Sequence, residues 1–277
     1  MARLRSQPRW VQAAAVLPIL VLVVVPNLYL SGRSMGTILA GGAAVDWHHF
    51  VEAGRRATDG GLYDIASDYG FRYSPIAAYA FAFIAPMGEL VWRLFHVVAA
   101  VALPSWPMRL IALVAWPFWF DVEAGNVLVF VLLAAAWVVR GSNAGIAAFV
   151  VMSLLMPRPL MVPILIWILW TRPDWRIPFA VLFGVHVTVV MLTGWGPAWL
   201  SVLIGSGDEI GSPLNLGPSR WIGLWWLVIG IPLAAWLTLR GRLGWASIAA
   251  SPYWLPYYLL MPILELASKR PSNRAGT

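Results

Sequence analysis

Residues 44–75, AVDWHHFVEAGRRATDGGLYDIASDYGFRYSP, place a concentrated run of ionisable groups inside an otherwise apolar chain. Of all 277 residues, 60% are hydrophobic and 11% are charged, against roughly 25% charged in ordinary soluble domains. The stretch holds the pair His48 and His49 and the acidic residues Asp46, Glu52, Asp59, Asp64 and Asp68. A membrane chain that collects this much ionisable chemistry in one loop is expected to work with that loop.

The composition predicts an all-α polytopic membrane protein that forms a single integral membrane domain over residues 1–277. The mean hydropathy is +0.75. Since one crossing needs about 20 apolar residues, the chain has room for about 8–10 transmembrane helices.

The charges act as topology signals. The net charge is +7, but the basic residues are dispersed between hydrophobic runs, so no nucleic-acid surface is indicated. The basic start of the chain precedes an apolar run over 10–30, which predicts an anchor with a cytoplasmic N-terminus. The polar stretch then lies in a first extracytoplasmic loop, residues 31–89, with juxtamembrane helices.

The apolar run 75–87 is short and bracketed by prolines, so it fits either a crossing or a helix on the outer surface. Placing it outside puts 12 of the 19 basic residues, but only Asp174 and Glu265 of the 12 acidic ones, on the cytoplasmic side. This choice also gives a second extracytoplasmic loop, 195–219, and a cytoplasmic tail, 268–277. The later crossings are then expected at about 90–104, 109–121, 126–139, 144–156, 160–170, 177–194 and 220–239.

The segment 245–267 contains Pro252 and Pro256. We expect a short helix up to Ser251, a break, and a descending helix from about Tyr253. Broken backbone at membrane depth is tolerated where it is buried in protein or lines a cavity, so this break is a candidate cavity wall.

Five polar stretches are expected to converge at the outer ends of helices: the Asp46 loop, 72–75, 121–126, 156–159 and the loop 194–220. Arg158 lies between two prolines at a helix boundary, which suggests a functional charge, although snorkelling to lipid head groups is the alternative. Asp46 fits a general base close to the membrane surface, and equally well an N-cap of a helix that starts at Trp47.

No metal or cofactor is expected. Neighbouring histidines on a helix point about 100° apart and chelate poorly, so His48 and His49 favour structural or substrate contacts. The chain has no cysteine for a thiolate site, and it contains neither a P-loop nor a GxGxxG motif.

The order of these motifs resembles the GT-C class of bacterial polyprenyl-phosphate-sugar-dependent glycosyltransferases, especially the mannosyltransferases of family 87. The resemblance rests on Asp46, on Gly61-Leu62-Tyr63-Asp64, and on Phe71-Arg72-Tyr73-Ser74-Pro75. It continues with Gly125-Asn126, Arg158-Pro159, the loop Asn215 to Ser219 and Ser251-Pro252-Tyr253-Trp254. The departures are Leu128 in place of a second amide, Arg158 in place of lysine, Pro256-Tyr257-Tyr258 where relatives often have histidine, and a shorter chain.

The resemblance implies a GT-C-like helical bundle in the cell membrane with its active site on the extracytoplasmic face. It implies transfer, with inversion, of a sugar such as mannose from a polyprenyl-phosphate donor to an envelope glycolipid or polysaccharide. Asp46 would be the base, and Arg158, helped by Arg72 or Arg220, would bind the donor phosphate. The sugar-contacting residues would be His48, His49, Tyr63, Tyr73, Asn126, Asn215 and Tyr257.

Two other function classes remain open from the sequence. One is a catalytically inactive relative that binds lipid-linked sugar or acts as a scaffold for envelope synthesis. The other is a small transporter, for which paired broken helices in two halves would be the expected pattern, and no internal repeat of that kind is found.

Overall fold

The computed structural model describes residues 9–42, 44–63, 71–204 and 208–267, with side chains described from residue 21 onward except at 208 and 209. Asp64, Asp68 and the predicted tail 268–277 lie outside the described residues. Within the described ranges the chain is helical and forms no strand. The all-α prediction is therefore confirmed for this part of the chain.

Fourteen α-helices follow one another in the described residues, with short 3-10 turns between some of them. They are α1 (Arg9–Leu39), α2 (Val45–Asp59), α3 (Pro75–Ile84), α4 (Gly88–Val101), α5 (Trp106–Val114), α6 (Trp116–Ala124), α7 (Leu128–Val139), α8 (Asn143–Leu155), α9 (Val162–Thr171), α10 (Arg176–Leu192), α11 (Gly196–Ile204), α12 (Ser219–Ile222), α13 (Trp226–Leu239) and α14 (Leu243–Ala250). A 3-10 helix over Pro256–Leu266 follows α14.

In the part of the chain that the structure describes, three helical segments are long and apolar enough to cross a membrane, which supports a membrane protein. They are Pro75–Val101 (27 residues), Pro173–Leu192 (20 residues) and Ser219–Leu239 (21 residues). The first includes 75–87, which the charge distribution places outside, and Gly88 at φ +80° divides it into α3 and α4. Three shorter apolar helices, Leu128–Val139, Asn143–Leu155 and Pro159–Thr171, stand beside them.

Prolines and the residues before them set several helix boundaries. The expected helix over 109–121 is two helices, because Pro117 has no N–H to continue α5 and Ala115 is extended before α6 starts at Trp116. The break at Ser251 is present, with Ser251 in an extended conformation before Pro252. The helix expected from about Tyr253 is present as a 3-10 helix that begins at Pro256 and contains Pro262.

Helix α7 forms the centre of the core. Eight of its 12 residues are buried, and the 3-10 helix Pro256–Leu266, whose Tyr258 and Met261 belong to the same buried cluster, packs against it. Helices α10 and α13, in contrast, leave large apolar side chains exposed, Ile177 and Val228 among them. Apolar faces without protein neighbours are what lipid-facing helices present.

Helix α2 is held close to α3, which fixes the position of the first loop. A Cβ on Gly54 would lie 2.6 Å from the backbone nitrogen of Ala82, so the two helices approach within a distance that only glycine permits. Trp47 and Phe50 of α2 stack on Trp92 and Phe81. The amino-terminal turn of α2, which carries Asp46, is therefore rigidly placed against α3, α4 and α6.

Candidate functional site

The polar residues surround a cavity of about 720 Å³, within the range of about 300–1,000 Å³ typical of small-molecule sites. All five stretches predicted to converge contribute to its wall, and so does the break after Ser251. Among the described residues of the loop 194–220, Leu203 and Leu214 contribute. Predicted site residues in the wall are Asp46, His49, Arg72, Tyr73, Asn126, Arg158 and Tyr257.

Asn126 joins Asp46 to Arg158 through the two ends of its amide. Its Nδ2 donates to Oδ2 of Asp46 at 2.5 Å, and its Oδ1 accepts from Nη2 of Arg158 at 2.9 Å. The carboxylate and the guanidinium are thus both fixed, with one amide between them. Asp46 lies in the first turn of α2, whose N-cap is Ala44, so Asp46 does not cap the helix. The helix dipole favours a negative charge at this position.

Arg158 is buried rather than directed toward lipid head groups, because only 5% of it is exposed. Its backbone is extended, as is usual for a residue before proline. Its Nη2 also donates to Oη of Tyr73. Three rings surround the guanidinium, with centroids 5.3 Å (Tyr73), 5.9 Å (Tyr257) and 5.8 Å (Tyr258) from Cζ.

One nitrogen of this guanidinium remains available. Nη1 of Arg158 is buried and has no hydrogen-bond partner among the described residues. An unpaired buried donor on a permanently charged group is costly, so a bound acceptor such as an anion would stabilise the site.

The turn after α6 gives Asn126 its orientation. Gly125 ends α6 at φ +70°. The backbone N–H of Asn126 donates to the backbone carbonyl of Asp121 at 3.0 Å, which is a common helix ending. The Gly125 carbonyl accepts from Nε1 of Trp92 at 2.8 Å, and Nε2 of His96 lies 2.5 Å from the Asn126 carbonyl. These contacts fix the backbone of the residue that joins Asp46 to Arg158.

A buried carboxylate supports the same turn from below. Oδ2 of Asp121 accepts from the Val129 amide at 2.9 Å at the start of α7, and it lies 4.0 Å from Nε2 of His96. Asp121 and His96 are fully buried and do not line the cavity. Both residues are therefore part of the scaffold that holds Asn126.

Four predicted site residues do not line the cavity, and each makes other contacts. Nε2 of His48 lies 3.5 Å from Oε2 of Glu89, outside the cavity. Tyr63 donates to the Tyr73 carbonyl at 2.8 Å, which supports the Tyr73 backbone, and burial raises the pKa of Tyr63. The exposed Arg220 donates to the Pro213 carbonyl at 3.2 Å.

The fourth, Asn215, connects two loops. Its Oδ1 accepts from the amides of Gly217 and Trp254, both at 2.9 Å, and its Nδ2 donates to the Ile210 carbonyl at 2.8 Å. Asn215 thereby fastens the loop that carries Leu214 to the segment that carries Tyr253. Its side chain supports the cavity wall without lining it.

The cavity is also lined by Phe120, Glu123, Tyr253 and Tyr258, which were not predicted individually as site residues although the last three stand in stretches named above. The available signal for two of them was spacing, since Phe120 and Glu123 lie three residues apart on α6. Glu52, by contrast, lies outside the cavity. Hydrogen bonds from Arg55 and Arg56 lower the pKa of Glu52 to about 2, so it stays ionised and bound to these arginines.

Among the residues that the structure describes, no three His, Cys, Asp or Glu side chains group to hold a metal ion. No family model matches the chain, and no curated protein or solved structure matches it. The residues of the cavity are therefore the basis for a functional proposal.

Proposed function

We propose that this protein is an inverting membrane glycosyltransferase that moves a sugar, with mannose as the first candidate, from a polyprenyl-phosphate donor to an envelope glycolipid or polysaccharide. The observation that carries the proposal is that Asp46 and Arg158 line one cavity and are held by the same amide, that of Asn126. The proposal includes a GT-C-like multi-pass bundle in the cell membrane, a cytoplasmic N-terminus and a cavity open to the extracytoplasmic side.

The two charges suit the two ends of a displacement at an anomeric carbon. Asp46 accepts the proton of the acceptor hydroxyl as that oxygen bonds to the anomeric carbon. The bond between this carbon and the phosphate oxygen breaks, and the polyprenyl phosphate leaves with the electron pair. Nη1 of Arg158 is the buried donor that can meet the negative charge as it develops.

The remainder of the wall fits a donor that carries a lipid. Leu203, Leu214, Val162 and Leu255 give the cavity apolar surface beside its charged residues. A donor with a polar head group and a prenyl chain needs both charged and apolar surface. Burial of the prenyl chain stabilises the complex by about 25 cal/mol per Å² of apolar surface removed from water.

Sugar transfer by the Asp46→Asn variant tests the proposal. Purified protein in nanodiscs receives radiolabelled polyprenyl-phosphate mannose and a crude envelope glycolipid extract. Wild type should transfer label, and Asp46→Asn should lose roughly 10²–10⁴-fold in rate while still binding donor, because asparagine can accept the Asn126 hydrogen bond but no proton.

Asp59→Asn is the matched control, since Asp59 is exposed at the end of the same helix and outside the cavity. Full activity in Asp46→Asn would remove Asp46 as the base. Donor binding without transfer by wild type, across a panel of donor sugars and acceptors, would favour a lipid-linked-sugar binder or scaffold.

A further inference from the structure

The proposed reaction assigns no role to Phe120 and Glu123, which both line the cavity from α6. Residues three apart on a helix lie on the same face, so these two side chains are neighbours in the wall. Each is partly exposed. A carboxylate beside an aromatic ring does not contribute to binding the donor phosphate, so these two side chains are available for another ligand.

Phe120 connects this surface to the phosphate-binding end. Its ring stacks on Tyr257 with centroids 6.0 Å apart and planes 27° from parallel, and the Tyr257 ring lies 5.9 Å from Cζ of Arg158. Phe120 therefore stacks on a ring that lies over the guanidinium, and Glu123 follows Phe120 one helical turn later on α6.

The cavity is lined by two guanidiniums and two carboxylates. The guanidiniums are Arg72 and Arg158, and the carboxylates are Asp46 and Glu123. Arg158, 5% exposed and with Nη1 unpartnered among the described residues, favours an anion. Glu123 repels an anion and accepts hydrogen bonds from hydroxyl groups. A sugar ring supplies hydroxyls for the carboxylate and an apolar C–H face for the aromatic ring.

We propose that Phe120 and Glu123 form a sugar subsite that takes an uncharged glycosyl residue and discriminates against anionic sugars. In the proposed reaction this glycosyl residue belongs to the acceptor, an assignment that rests on the proposed function. The binding of the sugar itself does not depend on that reaction. The second carboxylate thus gives selectivity by repulsion as well as by attraction.

Sugar binding measured without any transfer tests the subsite. Saturation-transfer NMR on the full chain in nanodiscs compares neutral methyl glycosides of mannose, glucose, galactose and arabinose with methyl glucuronide. The glucuronide matches the glucoside except for its carboxylate. Wild type should bind at least one neutral glycoside at least tenfold more tightly than the glucuronide.

Glu123→Gln should weaken the binding of the neutral glycoside by about tenfold, because hydrogen bonds to charged groups are stronger than those between neutral groups. The difference in affinity between the neutral glycoside and the glucuronide should become smaller. Phe120→Leu, which removes the ring but keeps an apolar side chain, should weaken the binding of both the neutral glycoside and the glucuronide. Glu52→Gln is the control, since Glu52 lies outside the cavity. Equal binding of both ligand types by wild type, no binding of any neutral glycoside, or an unchanged Glu123→Gln would each overturn the subsite.

Transfer kinetics separate this subsite from the proposed reaction. If transfer occurs, Glu123→Gln should raise the acceptor KM and leave the donor KM unchanged. Neutral glycoside binding without transfer would reject the reaction and keep the subsite. Transfer with an unaltered acceptor KM in Glu123→Gln would keep the reaction and reject the subsite.

Discussion

Substitutions of the single residue Arg158 separate the contribution of its planar geometry to donor-phosphate binding from that of its charge. Lysine preserves the charge but loses the planar group that donates to Tyr73 and Asn126 and lies among three rings. We expect Arg158→Lys to raise the donor KM by roughly ten- to a hundredfold. Arg158→Gln should abolish donor binding. Steady-state transfer kinetics and direct donor binding measure both effects.

Arg220→Lys is the control for this pair. Arg220 is exposed, donates to the Pro213 carbonyl and does not line the cavity, so its replacement should leave the donor KM unchanged. Wild-type donor binding in Arg158→Gln would place the phosphate elsewhere. A donor KM that rises only in Arg220→Lys would restore the sequence-based role of Arg220.

Single residues were predictable where local chain features marked them. Asp46 stands out by its position after an apolar run, and Arg158 by its flanking prolines. Asn215 stood out too, but its contacts depend on Trp254, 39 positions away, and no local pattern carries that pairing. Glu123 was missed because a carboxylate at a helix end is usually solvated, and only the fold places it in a cavity.

The docking of α2 on the end of α6 depends at the element scale on Gly125. A Cβ there would lie 2.8 Å from Cβ of Trp47 and 3.2 Å from Cβ of Ala44, and the residue has φ +70°. Gly125→Ala should therefore move α2 away and separate Asp46 from Asn126. We expect loss of transfer, measured with the labelled donor, and a lower thermal midpoint in detergent.

Gly141→Ala isolates the packing effect from backbone strain. Gly141 has φ +77° but nothing within 4 Å of an added Cβ, so its substitution should cost only the left-handed strain of about 1–2 kcal/mol. Gly125→Ala adds overpacking of about 1–3 kcal/mol. Equal thermal midpoints for the two variants, or full transfer by Gly125→Ala, would show that α2 does not need this close approach.

Element boundaries were predictable as far as proline sets them. The break at Ser251 was expected from Pro252, and α8 and α9 lie where the apolar runs place them. The division at Ala115 and the 3-10 form of Pro256–Leu266 were not expected, although Pro117 and Pro262 are their local causes. Apolar periodicity alone does not distinguish a continuous helix from two helices in a buried segment.

At the scale of the whole molecule, charge and apolar surface together predict the orientation in the membrane. The cavity lies where the stretches assigned to the outer face meet, and exposed apolar side chains cover α10 and α13. The loops with Arg140, Arg172 and Arg240 are assigned to the cytoplasm by the positive-inside rule. The number of crossings stays a prediction, since three helical segments of the described ranges meet the length and hydropathy that a crossing needs.

Cysteine labelling can test this orientation directly, because the chain has no cysteine of its own to remove. Thr58 in the first loop and Ala144 at the start of α8 are both exposed. A membrane-impermeant maleimide should label Thr58→Cys in intact cells, whereas Ala144→Cys should react only after permeabilisation. The cysteine-free parent controls for background labelling.

Labelling of Ala144→Cys but not Thr58→Cys in intact cells would turn the cavity toward the cytoplasm, and a lipid-linked donor would then have to be presented from that side. Labelling of both variants in intact cells would place residues 58 and 144 on one face and require an even number of crossings between them.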